Sequence, residues 1–372
     1  MEKLYLFVLG RDPELSIIEI ESFLQSKNIN YEILDTNKNI AAIKLSQFET
    51  SFVDYLGGTI KVGEVISNTN KLDEIEENLE LSELYKGTKN KINYYISGFS
   101  TDLTSFVEDF LKDYFKKIKL KALYRKETTP SSIIKKEILK EGLDLIIYKN
   151  FIARTIAVSN LIELKQRDIQ RPSVDYMKSI SLRLAKILIN LSKIKENETL
   201  LDPFCGSGSI LQEAMLNNIN VIGIDKDKES IKQSSDNLEW LKENYPIKAN
   251  YRLFNLDSRK MSSVVSKVDA VVTEPYLGPY IRKLPNIEEA KSLIFDLTNL
   301  YSSIIKQSSE ILGKGKRLII IIPRLKTVEG KTLYIDIRSL VEQNKFYLVY
   351  EPVIYAYSKS KIIREICVLE KH

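Results

Sequence analysis

The chain has 372 residues, 44% of them hydrophobic and 28% charged, with a formal net charge of +5; that is long enough for two or three domains, and the composition is that of a soluble globular protein. Two distant cysteines, Cys205 and Cys367, exclude a disulfide or zinc framework and fit a reducing, cytoplasmic setting with no metal. The sole histidine, His372, all but removes histidine-dependent nucleophilic catalysis, leaving acid-base work to carboxylates, Lys, Tyr or backbone groups.

The start, M-E-K-L-Y-L-F-V-L-G-R-D, has an acid at Glu2 and no small-residue cleavage site, so it reads as a first buried strand rather than a secretory leader. The most apolar runs, such as Leu318 to Ile322, are strand-sized against the ~20 residues that span a bilayer, and no membrane segment is expected. E-L-S-I-I-E-I-E-S-F-L-Q-S predicts a helix and A-A-I-K-L a strand, with further strands at I-N-Y-Y-I-S-G-F and L-D-L-I-I-Y. T-S-F-V-E-D-F-L-K-D-Y-F-K-K predicts a helix with Phe106, Phe110 and Tyr114 on one face, read as core packing.

Charge is uneven along this α+β region, residues 1–160. The stretch Asp73 to Glu83 is acidic with apolar residues at helical spacing. Lys116, Lys117, Lys119, Lys121, Arg125, Lys126, Lys135 and Lys136 form a basic segment that fits a nucleic-acid footprint, a solvated lysine-rich face being the alternative. The polar segment 161–178, with Arg167 and Arg171, reads as a linker. These two arginines are expected either to touch RNA between the modules or to form salt bridges within the linker.

From residue 179 to 372 strands and helices alternate. Helices are predicted at S-I-S-L-R-L-A-K-I-L-I-N-L-S, G-S-I-L-Q-E-A-M-L, K-E-S-I-K-Q-S-S-D-N-L-E-W-L-K and S-L-I-F-D-L-T-N-L-Y-S-S-I-I-K. Between and after them come the strands T-L-L-D-P-F, N-V-I-G-I-D, Y-R-L-F-N-L-D, V-D-A-V-V-T-E-P, R-L-I-I-I-I-P, F-Y-L-V-Y-E-P and E-I-C-V-L-E-K. Such alternation implies a mostly parallel, seven-stranded sheet covered on both faces, with ligands beyond the carboxyl ends of the strands.

Acids stand at those strand ends. D-P-F-C-G-S-G-S, Asp202 to Ser209, is a glycine-rich turn opening a helix, but it lacks the spacing of dinucleotide or phosphate-binding loops. Asp202 would repel a pyrophosphate and suits a cation such as S-adenosylmethionine, making Asp202, Phe204, Gly206 and Gly208 the expected cofactor turn. Asp225 ends the second strand, where an acid accepts ribose hydroxyls. Asp257 ends the third, where the acid or its neighbouring backbone can meet an adenine amino group. Glu274 ends the fourth, in T-E-P-Y-L-G-P-Y, so this stretch faces the same crevice.

With these motifs in order, the sequence resembles the Rossmann-like S-adenosylmethionine-dependent methyltransferases of exocyclic amines, and more closely the THUMP-containing tRNA guanosine-10 N2-methyltransferase family. The resemblance runs through L-G-G-T-I-K-V-G-E-V-I, S-S-I-I-K-K-E-I-L-K-E-G-L-D-L-I-I, R-T-I-A-V-S-N, Q-R-D-I-Q-R-P, D-P-F-C-G-S-G and T-E-P-Y-L-G. It implies an N-terminal ferredoxin-like and THUMP region holding tRNA and a Rossmann-like catalytic domain; the chain is expected to be a monomer, with no accessory subunit indicated. The family tetrapeptide is Asp or Asn, Pro-Pro, then an aromatic, which assigns Glu274, Pro275 and Tyr276 as catalytic. Here the acid is one methylene longer, Tyr276 replaces the second proline and Leu277 replaces the aromatic. Two alternatives follow from those departures: a tRNA-binding protein without turnover, or an adenine N6-methyltransferase of another RNA.

Overall fold

A run of alternating or continuous apolar residues bounded by turn residues is a strand waiting for neighbours, and the computed structural model supplies them for residues 2–85, 87–126, 138–173, 179–356 and 360–372. Two units emerge, Met1–Lys165 and Gln166–His372.

The first unit is built on one eight-stranded sheet. Its strands are β1 (Lys3–Leu9), β2 (Tyr31–Asn37), β3 (Ile40–Leu45), β4 (Thr59–Ser67), β5 (Lys91–Phe99), β6 (Lys121–Tyr124), β7 (Leu143–Tyr148) and β8 (Phe151–Val158). They lie in the order β2-β3-β1-β4-β8-β7-β5-β6, parallel only where β5 meets β6 and β7. Strands β2 and β6 are its edges, and neither was legible from periodicity. The former carries Asp35, Thr36 and Asn37, while the latter is four residues long. Strand β8 carries no clear strand periodicity either, because Arg154 and Thr155 interrupt its apolar run.

Near the centre of this sheet Lys61 of β4 reaches over β8 to Asp144 of β7. The ammonium donates to both carboxylate oxygens, at 3.1 and 2.9 Å, and to Ser97 Oγ at 2.7 Å, while the Thr155 hydroxyl donates to Asp144. Such a buried pair is tolerated only when its lone pairs and protons are used, and burial still pushes the Asp144 carboxyl above its usual range. Satisfying the network fixes which strands stand side by side.

On the helix Thr104–Lys117 the innermost row is Val107, Leu111 and Phe115. The aromatic stripe packs half-buried beside it, the rings of Phe110 and Tyr114 stacked at 6.0 Å. The stripe is core packing as expected, displaced one position from the deepest face.

Among the described residues the second unit carries nine strands: β9 (Thr199–Asp202), β10 (Asn220–Asp225), β11 (Tyr251–Asn255), β12 (Val268–Thr273), β13 (Leu312–Lys326), β14 (Thr332–Tyr334), β15 (Phe346–Leu348), β16 (Val353–Tyr355) and β17 (Ile362–Lys371). Seven of them run β11-β10-β9-β12-β13-β17-β15, with β14 added to β13 and β16 to β17. The first five are mutually parallel; β17 is antiparallel to β13 and β15. The expected seven-stranded, mostly parallel sheet is this path. F-Y-L-V-Y-E-P, read as one strand, is a strand only over β15, its first three residues, and β16 starts just beyond it at Val353.

Continuous burial of Leu318 to Ile322 in β13 reflects cover on both faces, and Tyr301, Ile304 and Ile305 of the helix Ile287–Ile311 belong to the same core. Strand order reverses at β9, which lies between β10 and β12, so a crevice opens beyond the carboxyl ends of β9 and its neighbours. Among the described residues no helix is long and apolar enough to cross a membrane.

Candidate active site

Strand β9 delivers Asp202 to the rim, and the chain turns through Pro203–Gly208 into the helix Ser209–Leu216. Gly206 and Gly208 have φ of +50° and +84°, the left-handed region that favours glycine. A Cβ on Gly208 would come within 2.6 Å of Ser234 Oγ, whereas nothing lies within 4 Å of one on Gly206. The turn is closed on one side and open over Gly206.

Asp202 is 2% exposed. Its Oδ1 accepts from the Phe204 amide at 3.0 Å and the Thr273 hydroxyl at 2.7 Å. Burial dominates nonetheless and, with smaller contributions from Asp225 and Glu274, pushes its carboxyl up to about 7. Asp225, at the end of β10, accepts from the Gly206 amide at 3.0 Å and from the Asp227 amide at 2.9 Å. An ionised carboxylate has about four acceptor sites, so two such bonds position Asp225 and leave capacity for ribose hydroxyls.

Asp257 behaves differently. It caps the 3₁₀ turn Ser258–Ser263, and its carboxylate is held by the Arg259 guanidinium (Nη2 to Oδ2, 2.5 Å), which draws its pKa down to about 2. With the carboxylate so engaged, the expected contact to adenine would fall to the neighbouring backbone. Asn255, which sequence reasoning did not single out, donates from its side-chain amide to the carbonyls of Asp225 and Lys226, both at 3.0 Å, and ties the ends of β10 and β11 together.

Glu274 follows β12 directly. It joins Asp202, Phe204, Gly206, Ser179 and Ile180 in lining one cleft. Arg364 of β17 meets its carboxylate, Nε to Oε1 at 2.5 Å and Nη2 to Oε2 at 3.3 Å. Pro275 is buried, whereas Tyr276 and Tyr280 are 52% and 74% exposed.

The loop is anchored at three further points. Gly278 has φ +115°, and a Cβ there would press on Leu293 at 3.3 Å. The buried Tyr301 hydroxyl lies 3.1 Å from the Ile321 carbonyl and 3.4 Å from that of Tyr276. Burial, with Glu274 nearby, pushes that hydroxyl well above its ordinary pKa, so it stays a donor. Lys361 donates to the carbonyls of Ile281, at 3.1 Å, and Arg282. Arg364, Lys361 and Tyr301 were all missed from sequence, where nothing local marks them.

The basic residues of the first unit gather where the helix Thr104–Lys117 ends and the edge strand β6 begins. Lys116, Lys119, Lys121 and Lys126 are exposed there; Lys117 pairs with Glu80 at 2.9 Å and Arg125 donates to Asn93 at 3.0 Å. Lys135 and Lys136 lie outside the described residues.

Arg167 and Arg171 correct the RNA-contact expectation. They are 6% and 4% exposed. The segment read as a linker contains the helix Leu161–Gln170; Arg167 donates from Nη2 to both Glu213 carboxylate oxygens at 2.6 and 2.8 Å, and Arg171 meets Asp168 at 2.8 Å and Ser209 Oγ at 2.9 Å. Their i,i+4 spacing puts both on one helix face. That face packs on the helix that follows the glycine turn, which is the salt-bridge alternative rather than the RNA one.

The donor set suits a cationic, nucleoside-bearing ligand. A buried acid with raised pKa, two further carboxylates and an open glycine turn would hold S-adenosylmethionine through Asp202, Gly206 and Asp225, with Glu274 lining the same cleft as Asp202 and Gly206.

Comparison with known proteins agrees. A family model described as an RMKL-like methyltransferase domain matches residues 171–344, and a DNA methylase model matches residues 67–236. The tRNA (guanine(10)-N2)-dimethyltransferase of Methanothermobacter thermautotrophicus is 25% identical over 344 residues, 89% of each chain. A probable tRNA (guanine(10)-N2)-dimethyltransferase of Methanothermococcus thermolithotrophicus is 30% identical over 139 residues, covering 37% of this chain and 86% of that one. Among solved structures, TrmN from Thermus thermophilus superposes with a TM-score of 0.53 at 15% identity, over 99% of this chain and all of that one, a likeness of fold.

Proposed function

The chain belongs to the family of tRNA (guanine(10)-N2)-methyltransferases, and from that membership we propose that it methylates the exocyclic N2 of a guanosine in tRNA, at position 10 as its relatives' names state. The observation that carries the reading is Glu274: an acid followed by Pro275 at the end of β12, lining one cleft with the cofactor turn of β9.

S-adenosylmethionine supplies a methyl group on a sulfonium sulfur; the S–CH3 bond breaks as the N–CH3 bond forms, S-adenosylhomocysteine leaves, and the nitrogen sheds a proton. Guanine N2 is a poor nucleophile because its lone pair is delocalised into the ring. Glu274 accepts hydrogen bonds from the amino group, and with the Pro275 carbonyl it turns the nitrogen lone pair out of the ring plane. The same carboxylate takes the departing proton directly or through water. Leu277 cannot stack on an extruded base as the family aromatic does, and the exposed rings of Tyr276 and Tyr280 provide the stacking face in its place.

Residues 1–160 serve as the ferredoxin-like and THUMP region, with Lys116, Lys119, Lys121 and Lys126 gripping phosphates. Residues 179–372 carry the chemistry, in a cytoplasmic monomer. The test is labelled S-adenosylmethionine with unmodified tRNA, followed by mapping of the modified nucleoside. Label in N2-methylguanosine that vanishes in Glu274→Ala supports the reading. Cofactor binding without label on any RNA sinks it, and label in N6-methyladenosine reassigns the enzyme to adenine.

A further inference from the structure

The pair between Glu274 and Arg364 joins residues 90 positions apart, and it is a geometric feature before it is an electrostatic one. A glutamate at this position has one more rotatable bond than the aspartate of the family pattern, so its carboxylate sweeps a larger volume at the mouth of the cleft. Something must hold it. Arg364 does so with two donors of its planar fork, one to each carboxylate oxygen, which fixes the carboxylate plane as well as its position.

Arg364 is itself fixed from both sides. On β17 its backbone stands opposite Pro323 of β13 and Tyr355 of β16, so the strand cannot slide. The next residue, Glu365, points to the other face and pairs with Arg324. The same end of β17 grips the catalytic loop through Lys361. An antiparallel strand late in the chain thus braces the segment that follows the parallel strand β12.

We propose that Arg364 is a positioning residue that aims the Glu274 carboxylate at the substrate amine, compensating for the extra methylene of Glu274. The role rests on the methyl-transfer reading above. A carboxylate displaced by about 1 Å can slow a reaction on the order of 100-fold, so losing the fork acts on turnover rather than on binding.

The experiment compares Arg364→Met, Arg364→Lys, Glu274→Asp and the double variant Glu274→Asp with Arg364→Met, reading kcat, KM for tRNA and the dissociation constant for S-adenosylmethionine. Arg364→Met is expected to lower kcat roughly 10- to 100-fold, with KM and cofactor affinity within about threefold of the wild type. Arg364→Lys, a cation without the fork, recovers part of that loss. The double variant is no slower than its slower parent, because both substitutions break the same ion pair. An unchanged kcat in Arg364→Met, or losses that multiply in the double variant, overturns the assignment. So does a loss confined to the KM for tRNA with a shallower salt dependence, which would make Arg364 a phosphate ligand. If Arg364→Met does not bind the cofactor, Arg364→Lys decides, and an Arg364→Lys protein with full kcat refutes the role. Wild-type protein that methylates no RNA sinks the function itself, whereas an active wild type with unimpaired Arg364 variants overturns only this inference.

Discussion

Asp202 makes the second unit sensitive to pH in a direction that can be worked out. Its carboxyl titrates near 7 in the folded protein against an ordinary value of 3.8, because burial disfavours the charged form more than Thr273 and the Phe204 amide favour it. Between those two values the unfolded chain has released the proton and the folded chain retains it, so stability falls as pH rises. The contribution is fully present below pH 3.8 and is lost by the time pH passes about 7. From pH 5.5 to 7.5 the loss attributable to this one carboxyl is about 2 kcal/mol. Replacing it by Asn removes the titration. Trp240, the only tryptophan, lies in the second unit and reports that unit's unfolding by fluorescence. Urea unfolding at pH 5.5 and 7.5 should therefore show the wild type losing about 2 kcal/mol more than Asp202→Asn. Binding a sulfonium cation favours the ionised carboxylate, so S-adenosylmethionine should also release up to about half a proton at pH 7, measurable by calorimetry in buffers of different ionisation enthalpy. Parallel stability curves for the two proteins, or proton uptake on binding, would refute the argument.

Asp225→Ala should weaken S-adenosylmethionine binding at least tenfold, about 1.4 kcal/mol, since it removes an acceptor for ribose and releases the Gly206 amide from its anchor; titration calorimetry gives the constant. Arg167→Ala leaves the Glu213 carboxylate buried without its cationic partner and should destabilise the Trp240-reported transition by about 3–5 kcal/mol, while tRNA affinity of the folded protein stays the same. Gly208→Ala forces a Cβ into Ser234 at a positive φ and should lower the stability of the same transition by more than about 1 kcal/mol. Neutralising Lys116, Lys119 and Lys121 together should reduce the slope of log tRNA affinity against log salt by roughly 0.7 for each phosphate that they pair with, and a slope equal to the wild type's would remove these lysines from the RNA surface.

The sequence alone determined the rim of the site. In a parallel sheet with helices between its strands, every strand's carboxyl end faces the same way, so Asp202, Asp225, Asp257 and Glu274 had to arrive at one edge once their strands were read. Periodicity also revealed most of the helices and buried strands, though not β4, β8 or the helix Leu161–Gln170, and the glycines of D-P-F-C-G-S-G announced a turn that only glycine can make. What periodicity encodes is local burial, and it carries no information about which strand lies beside which. Tertiary structure alone decided that β17 inserts between β13 and β15, and so brings Arg364 to Glu274. It alone turned Arg167 and Arg171 inward to Glu213, Asp168 and Ser209 rather than outward to RNA, and engaged Asp257 with Arg259. The difference lies in the range of the interaction: a strand end is specified by a few adjacent residues, whereas the partner of a charged side chain is specified by the register of strands distant in the chain.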